Sequence, residues 1–145
     1  MRDLNNISSI MIKDHLRILS LLHVFEQTDK DNINAKLSSF ETLNCNLEKH
    51  ISTEEKVVFN SFNTKEKKEH YSLFMELSKQ HTGILNELVI IKKQLNKRIL
   101  VEGFNLREKL INHQKYEEQL LYPRLDKELT EDEKYFILDR IREII

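Results

Sequence analysis

The stretch NHQKYEEQLLYP, from Asn112 to Pro123, decides the fold because it places a histidine and a glutamate four residues apart within a helical pattern of apolar residues. His113 and Glu117 therefore lie one above the other on one face of a helix. The predicted apolar residues of that face are Leu106, Leu110, Leu120 and Leu121. Both polar side chains are thus expected to point into the core, where an imidazole and a carboxylate need partners.

An equivalent pair occurs earlier, in KHISTEEKVVFNSF, where His50 and Glu54 have the same spacing. Leu43, Leu47 and Val57 continue the apolar stripe around this pair. Histidines and carboxylates that project inward from facing helices are the ligands of metal sites in helix bundles. Each of the two stretches is therefore a candidate half of one metal site.

Length and composition limit the domain number, the fold class and the partners of a protein with such a site. The chain has 145 residues, enough for a single domain, residues 1–145, with a substantial core. Two glycines, one proline and abundant leucine, isoleucine, lysine and glutamate favour helices over strands. The net charge of -1 provides no positive field to attract nucleic acid or an anionic membrane surface.

The cysteine content and the apolar segments indicate a location. Cys45 is the single cysteine, so an internal disulfide is impossible, as is typical of a reducing compartment. The amino terminus, MRDLNNISS, has no signal-peptide apolar run, and no stretch approaches the roughly 18 apolar residues of a membrane span. We expect a cytoplasmic protein that does not associate with membranes.

The apolar spacing predicts an all-α fold, an antiparallel up-down-up-down four-helix bundle with a short carboxy-terminal helix. Helix-capping residues are predicted at Ser8 or Ser9, Asp31 or Asn32, Asn63 with Glu66, and Thr130 with Glu133. The second helix is predicted to run to about Phe62, and the fourth from about residue 103. Pro123 is predicted to end the fourth helix or to kink it.

The positions of the histidines indicate whether these helices form one site. In an up-down-up-down bundle, residues on consecutive helices lie at the same depth only if the turn falls midway between them in sequence. The midpoints between successive histidines lie near residues 32, 65 and 97, each in or beside a polar break. One level of the bundle is therefore predicted to hold His15, His50, His81 and His113, with Glu54 and Glu117 beside them.

The two halves of the chain also resemble each other. DHLRILSLL around His15 matches QHTGILNEL around His81, and KHISTEEKVVF matches NHQKYEEQLLY. With these motifs the chain from His15 to about Leu125 resembles a hemerythrin-like (HHE) domain, whose fourth-helix signature resembles HQKYEEQLLYP. The resemblance implies a cofactor of two non-haem iron ions with an oxo or hydroxo bridge. The ligands that it implies are His15, His50, Glu54, His81, His113 and Glu117.

Two positions differ from the oxygen-carrying hemerythrins. Those proteins have a further histidine one turn before the third-helix ligand, where this chain has Leu77. They also place the last carboxylate five residues after the fourth-helix histidine, where this chain has Glu118. The choice between Glu117 and Glu118 is therefore open, with Glu117 favoured. The four-histidine, two-glutamate set is closer to di-iron proteins linked to iron-sulfur repair and to hemerythrin-like sensing domains.

Coordination arithmetic indicates the chemistry. Two octahedral irons offer about twelve positions, and the six side chains with one bridging oxygen leave about two of them open. We therefore expect binding of, or reaction with, dioxygen, nitric oxide or peroxide, in a stress response or iron-sulfur repair. The alternatives are an iron, oxygen or redox sensor acting through a protein partner, and a reversible oxygen carrier. A metal-free interaction domain is disfavoured because it leaves the six polar side chains uncompensated in the core.

The residues near the predicted ligands have simpler interpretations. Glu55 and Glu118 are expected beside the ligands or in solvent, and Cys45 in packing. The aromatic residues Phe59, Tyr116 and Tyr122 are expected to pack around the site. Gly83 either leaves room for a small ligand near His81 or allows close helix packing.

Overall fold

The computed structural model describes residues 6–60, 71–99 and 104–145. Among these residues the regular structure is entirely helical, which confirms the predicted all-α class. The helices are α1 (Ile7–Gln27), α2 (Ile33–Thr53), α3 (Tyr71–Asn96), α4 (Phe104–Tyr116), α5 (Tyr122–Glu128) and α6 (Glu131–Ile144). Two π-helical segments, Glu54–Phe59 and Glu117–Leu121, continue α2 and α4 directly. No helix in the described part of the chain is both long and apolar enough to cross a membrane.

Side-chain caps fix several helix ends. The prediction of Ser8 or Ser9 as the first cap is wrong, because the Asn6 side chain accepts a hydrogen bond from the Ser9 amide and α1 begins at Ile7. Asn32 caps α2 as predicted. The capping box of Thr130 and Glu133 is present at the start of α6. The predicted cap at Asn63 and the predicted end near Phe62 lie outside the described residues.

The end of the fourth helical region differs from the prediction. Helical residues continue past Pro123 to Glu128, so the helix does not end at the proline. The π-helical segment just before it leads the amide of Tyr122 to bond the carbonyl of Glu117, five residues earlier. This wider turn directs Leu121 into the core and leaves Leu120 43% exposed, so the prediction that Leu120 faces inward is wrong.

Two apolar clusters form the core. The first cluster contains Ile7 and Met11 of α1 and the inward face of α6, whose buried residues are Ile137, Leu138 and Ile141. The second cluster contains Ile18, Leu22 and Phe25 of α1 with Phe40, Leu88, Leu106 and others from α2, α3 and α4. Along α1, His15 falls between Met11 and Ile18 and is itself buried. The clusters are therefore separated by a layer of buried polar side chains, which we call the polar layer.

Candidate metal centre

The polar layer brings together all six residues that the sequence analysis singled out. Each of the four helices α1 to α4 contributes one histidine, and each of the two π-helical segments begins with one glutamate. All six side chains are at most 4% exposed: His15, His50, Glu54, His81, His113 and Glu117. Their nitrogen and oxygen atoms form two groups, and within each group these atoms lie within 4.8 Å of one another.

The two groups define two positions where a metal ion could bind. We call the space among His15, His50, Glu54 and Glu117 position A. Position B is the space among Glu54, His81, His113 and Glu117. Both glutamates belong to both positions. Two cations bound there would consequently share the two carboxylates.

The individual distances support this sharing. Glu117 directs Oε1 to His15 Nε2 at 3.1 Å and Oε2 to His113 Nε2 at 3.2 Å, so it presents one oxygen to each position. Glu54 Oε1 lies 3.1 Å from His81 Nε2 and 3.4 Å from His50 Nε2. Each carboxylate thus lies between a histidine of position A and a histidine of position B.

The π-helical turns place these glutamates. Each begins at a glutamate that follows its histidine by four residues, so the α-helical spacing holds within the pair and changes immediately after it. Such turns are rare in proteins and occur frequently at functional sites. Their presence at both glutamates indicates that the two halves of the chain fold alike around the polar layer.

In each of the four histidines, Nε2 faces the other residues of its position and is called the inner nitrogen, while Nδ1 is called the outer nitrogen. A side chain accepts a hydrogen bond from each outer nitrogen. His15 Nδ1 donates to Glu118 at 2.7 Å, and His81 Nδ1 donates to Glu55 at 2.7 Å. The other two outer bonds run from His50 Nδ1 to Asp14 at 2.6 Å and from His113 Nδ1 to Gln80 at 2.7 Å. A neutral imidazole that donates through Nδ1 presents a lone pair at Nε2. All four inner nitrogens are therefore prepared to act as metal ligands, in the arrangement typical of metal-binding histidines.

Asp14 and Gln80 were not predicted to be functional residues. Each directly precedes the first histidine of its half, in the motifs DHLRILSLL and QHTGILNEL. This shared place in the repeat is the signal that could have identified them. Their side chains orient the rings of His50 and His113 from outside the site.

Several inner atoms lack a compensating partner. His113 Nε2 and Glu117 Oε2 are buried and form no hydrogen bond, and their 3.2 Å contact is attractive only if the imidazole is protonated. His15 Nε2 also lies 3.2 Å from His50 Nε2, so two nitrogens face each other. A bound cation would satisfy these atoms together, because it accepts lone pairs from nitrogen and oxygen at once. The residues present thus fit a metal ion at each position.

The shifted pKa values of residues in the polar layer also show that positive charge is favoured there. Burial alone would lower the pKa of His50, but the charge of Glu54 and the hydrogen bonds to Asp14 and Glu54 raise it to about 10. Burial likewise opposes protonation of His81, yet its contacts with Glu117 and Glu54 raise its pKa to about 11. For Glu117, burial is outweighed by its hydrogen bonds and by the charge of His113, and its pKa lies well below the ordinary value. A metal ion can supply the positive charge that protons otherwise provide.

Tyr122 contributes more than the predicted packing. Its hydroxyl oxygen lies 2.7 Å from Glu54 Oε2, 3.0 Å from Glu117 Oε1 and 3.0 Å from His15 Nε2. Burial, together with the charges of Glu117 and Glu54, raises the pKa of this hydroxyl well above its ordinary value, so it keeps its proton. Tyr122 therefore supplies a neutral hydrogen-bond donor to the carboxylates.

The remaining predicted residues take simpler places. Phe59 stacks on the ring of His81, with centroids 5.8 Å apart and planes 7° apart. Glu118 lies in neither position and binds the outer nitrogen of His15, so the polar layer contains Glu117 in its place. Leu77 is buried in the first cluster. Cys45 is exposed, so the prediction that it packs is wrong.

Gly83 borders a cavity beside position B. A Cβ atom added to Gly83 would meet no atom within 4 Å, so close helix packing is not the reason for this glycine. The cavity has a volume of about 270 Å³. Its lining includes buried His113 together with Gln80 and the exposed residues Lys79 and Asn112.

A comparison with protein families agrees with this geometry. The family model of the hemerythrin HHE cation binding domain matches residues 6–125, which include the whole polar layer. Helix α6 follows the matched residues. No curated protein and no solved structure gave a significant match.

Proposed function

This chain belongs to the hemerythrin HHE cation binding domain family, and from that premise we propose that it holds two non-haem iron ions, joined by an oxo or hydroxo bridge, at positions A and B. The proposed ligands are His15, His50, Glu54, His81, His113 and Glu117. One observation carries the proposal: all four outer imidazole nitrogens donate to side chains, while all four inner nitrogens face two shared carboxylates. That donor set, imidazole nitrogen with carboxylate oxygen, suits iron.

We also infer that the four long helical regions run antiparallel to their neighbours in the up-down-up-down order. Contacts between α1 and α2 join His15 to His50 and Phe25 to Phe40, so the residue numbers increase along α1 as they decrease along α2. The same holds for α2 with α3, which pair Glu54 with His81 and Glu41 with Lys92. Contacts between α3 and α4, which join Gln80 to His113 and Glu87 to Lys109, follow the same order. These pairs support one level for the four histidines.

The side chains of this chain would divide the work of the site. Glu54 and Glu117 hold both ions, and the four histidines each hold one. The outer residues keep each imidazole in the tautomer that ligation requires. The apolar clusters on either side limit the access of water. Bound iron would supply a change of oxidation state and open coordination positions, and from these we infer a role in binding or reacting with dioxygen, nitric oxide or peroxide.

A sensing role is the second candidate, and one contact favours it. Tyr122 touches both carboxylates and also belongs to the first cluster, in which α6 is packed. The outward face of α6 presents Tyr135 and Phe136, which are 71% and 57% exposed. A change at the metal centre could therefore alter the seating of a helix that offers exposed aromatic residues to a partner.

Iron binding is tested by anaerobic reconstitution with ferrous iron, removal of loosely bound metal and elemental analysis. We expect two irons per chain in the unmodified protein. His81→Ala should lose iron at position B, and Glu117→Ala should lower iron content at both positions, because the carboxylate serves both. His23→Ala is the matched control, since His23 is exposed on α1 and should leave the iron content unchanged. Full iron retention in both site variants, or none in the unmodified protein, would contradict the proposal.

A further inference from the structure

We propose that Tyr122 is a further ligand of the metal centre, and that its phenolate oxygen binds a ferric ion at position A. This inference rests on the proposed binding of two irons, and it adds one oxygen donor to the six side chains named above. Tyrosine is a known ligand of iron in proteins. Three features support the assignment: the surroundings of the hydroxyl group, the spacing of the atoms at position A and the π-helical turn before Tyr122.

The Tyr122 hydroxyl is surrounded by acceptors. Its oxygen lies 2.7 Å from Glu54 Oε2 and 3.0 Å from Glu117 Oε1. It also lies 3.0 Å from Nε2 of His15, which presents a lone pair because this histidine donates through Nδ1 to Glu118. A phenol has one proton and can satisfy one of these three acceptors at a time. The other two contacts bring lone pairs together, and a cation among the four atoms would make every contact favourable.

The spacing of the atoms at position A matches a coordination sphere. Atoms bound about 2.1 Å from an octahedral metal ion lie about 3.0 Å from their nearest neighbours. His15 Nε2 lies 3.2 Å from His50 Nε2 and 3.1 Å from Glu117 Oε1. The contacts of the Tyr122 oxygen, at 2.7 to 3.0 Å, are of similar length. The phenol oxygen is therefore placed as one ligand atom is placed beside another.

The π-helical segment Glu117–Leu121 explains how Tyr122 reaches this place. In an α-helix, side chains five residues apart point about 140° away from each other. Here the amide of Tyr122 bonds the carbonyl of Glu117, five residues earlier, and this wider turn returns the chain to the same face. Tyr122 is fully buried, with its hydroxyl directed at the carboxylates. The turn thus brings a carboxylate and a phenol of one helical region to one metal position.

The matching turn in the first half of the chain shows what is particular to Tyr122. Aligning KHISTEEKVVF with NHQKYEEQLLY pairs Phe59 with Tyr122. The first π-helical segment ends at Phe59, which is buried and stacks on the ring of His81. The fold therefore accepts a ring without a hydroxyl at this place. Packing alone does not require the oxygen of Tyr122, and a chemical role accounts for it.

Ligation changes the charge of the side chain and leaves the oxidation state of the metal unchanged. The phenolic O–H bond breaks as the oxygen–iron bond forms, and the proton passes to a base in solution. Two ferric ions, one bridging oxide and two carboxylates leave a net positive charge in a buried layer, and a phenolate reduces that charge. Ferric iron is therefore the oxidation state that favours the phenolate.

The inference is tested by the spectrum of protein that is loaded with ferrous iron, analysed for iron content and then oxidised with ferricyanide. We expect two irons per chain, a visible charge-transfer band from phenolate to iron, and enhanced phenolate ring vibrations in the resonance Raman spectrum. Ring-deuterated tyrosine should shift these vibrations. A chain that binds no iron would refute the proposed function and this inference together. Two irons without phenolate vibrations would refute this inference alone.

Tyr122→Phe assigns the signal and is expected to fold, because the first half has a phenylalanine at the matching position. The variant should keep both irons, since six ligands remain, and should lose the phenolate vibrations. Tyr116→Phe is the matched control, because Tyr116 is half-buried against the first cluster and its hydroxyl is not assigned to the centre. Phenolate vibrations that persist in Tyr122→Phe would overturn the inference. If Tyr122→Phe does not fold, the combined variant Tyr71→Phe, Tyr116→Phe and Tyr135→Phe decides, and loss of the vibrations there would overturn it.

The reduction potential separates a ligand from a hydrogen-bond donor. An anionic ligand stabilises ferric iron more than ferrous iron, so its removal in Tyr122→Phe should raise the potential. A phenol that only donates to Glu54 and Glu117 withdraws charge from these ligands and stabilises ferrous iron, so its removal should lower the potential. Redox titration of the two proteins measures the difference. A higher potential in Tyr122→Phe supports the inference, and a lower or unchanged potential would overturn it.

Discussion

The second apolar cluster and the polar layer beside it are formed by the same four helices, and residues of both are almost completely buried. In the cluster, every side chain is surrounded by others of its kind, so removal from water is itself stabilising. In the polar layer, carboxylates and imidazoles have lost water and leave inner atoms such as His113 Nε2 without a hydrogen bond. The chain alone therefore stabilises the cluster, whereas the polar layer depends on protons or metal ions.

The largest expected effect is the pH dependence of the free energy of unfolding, which distinguishes the polar layer from the second apolar cluster. In metal-free protein, the pKa values of His50 and His81 are raised to about 10 and about 11, against about 6.5 in the unfolded chain. Between pH 6.5 and 9 the folded protein therefore holds protons that the unfolded chain has lost. The free energy of unfolding should fall across this window, by up to about 1.4 kcal/mol per pH unit for each histidine.

Metal-loaded protein should behave differently, because its histidines are bound as neutral ligands and hold no extra protons. Urea unfolding at pH 6.5, 7.5 and 8.5, with a chelator or with saturating metal, measures both cases. We expect stability to fall with pH in the chelator but not with metal, where it should rise slightly because the unfolded chain still binds protons at its histidines near pH 6.5. A profile that does not fall in the chelator would mean that the polar layer does not depend on positive charge.

The next largest effect comes from the cluster. Phe40 is fully buried and meets the edge of the Phe25 ring, with centroids 5.7 Å apart. Phe40→Ala should lower the free energy of unfolding by about 3–5 kcal/mol through lost burial and the cavity left behind. The loss should be the same with chelator and with metal.

Phe136→Ala is the control for Phe40→Ala, since Phe136 is 57% exposed on α6 and its loss should cost no more than about 0.5 kcal/mol. Both variants should retain two irons per chain. A Phe40→Ala protein that folds but binds no metal would show that the cluster and the polar layer cannot be treated separately.

Much of the arrangement could be predicted because it repeats along the chain. Four histidines at matching distances from the polar breaks indicate one level for the side chains, and the structure brings His15, His50, His81 and His113 together. The two glutamates that follow a histidine by four residues, Glu54 and Glu117, complete the predicted site. These inferences need only helical periodicity and short turns, both of which are local properties of the sequence.

The features that sequence reasoning missed depend on contacts between helices. The π-helical turns that begin at Glu54 and Glu117 depart from α-helical spacing, and periodicity assumes that no such turn exists. The prediction that Leu120 faces the core is wrong for this reason. The contact of Tyr122 with both carboxylates likewise requires knowing where a second helix places Glu54. Only the pairing of Asp14 with Gln80 could be seen in the repeat itself.

The smallest expected effect tests a buried charge that needs no metal. Lys36 is 5% exposed, yet its ammonium group donates to the carbonyl of Phe25 at 2.6 Å and lies 4.4 Å from the centre of that ring. Burial lowers the pKa of Lys36 despite the nearby charge of Glu26, so part of the gain from these contacts is offset. Lys36→Met keeps the apolar stem and loses the donor, and we expect a loss of about 1 kcal/mol in the free energy of unfolding. Lys30→Met, at an exposed position in the preceding turn, should change it by less than about 0.5 kcal/mol. Because carbonyl oxygens satisfy Lys36 within the protein, the loss should be equal with chelator and with metal, and a loss that appears only without metal would place Lys36 with the polar layer instead.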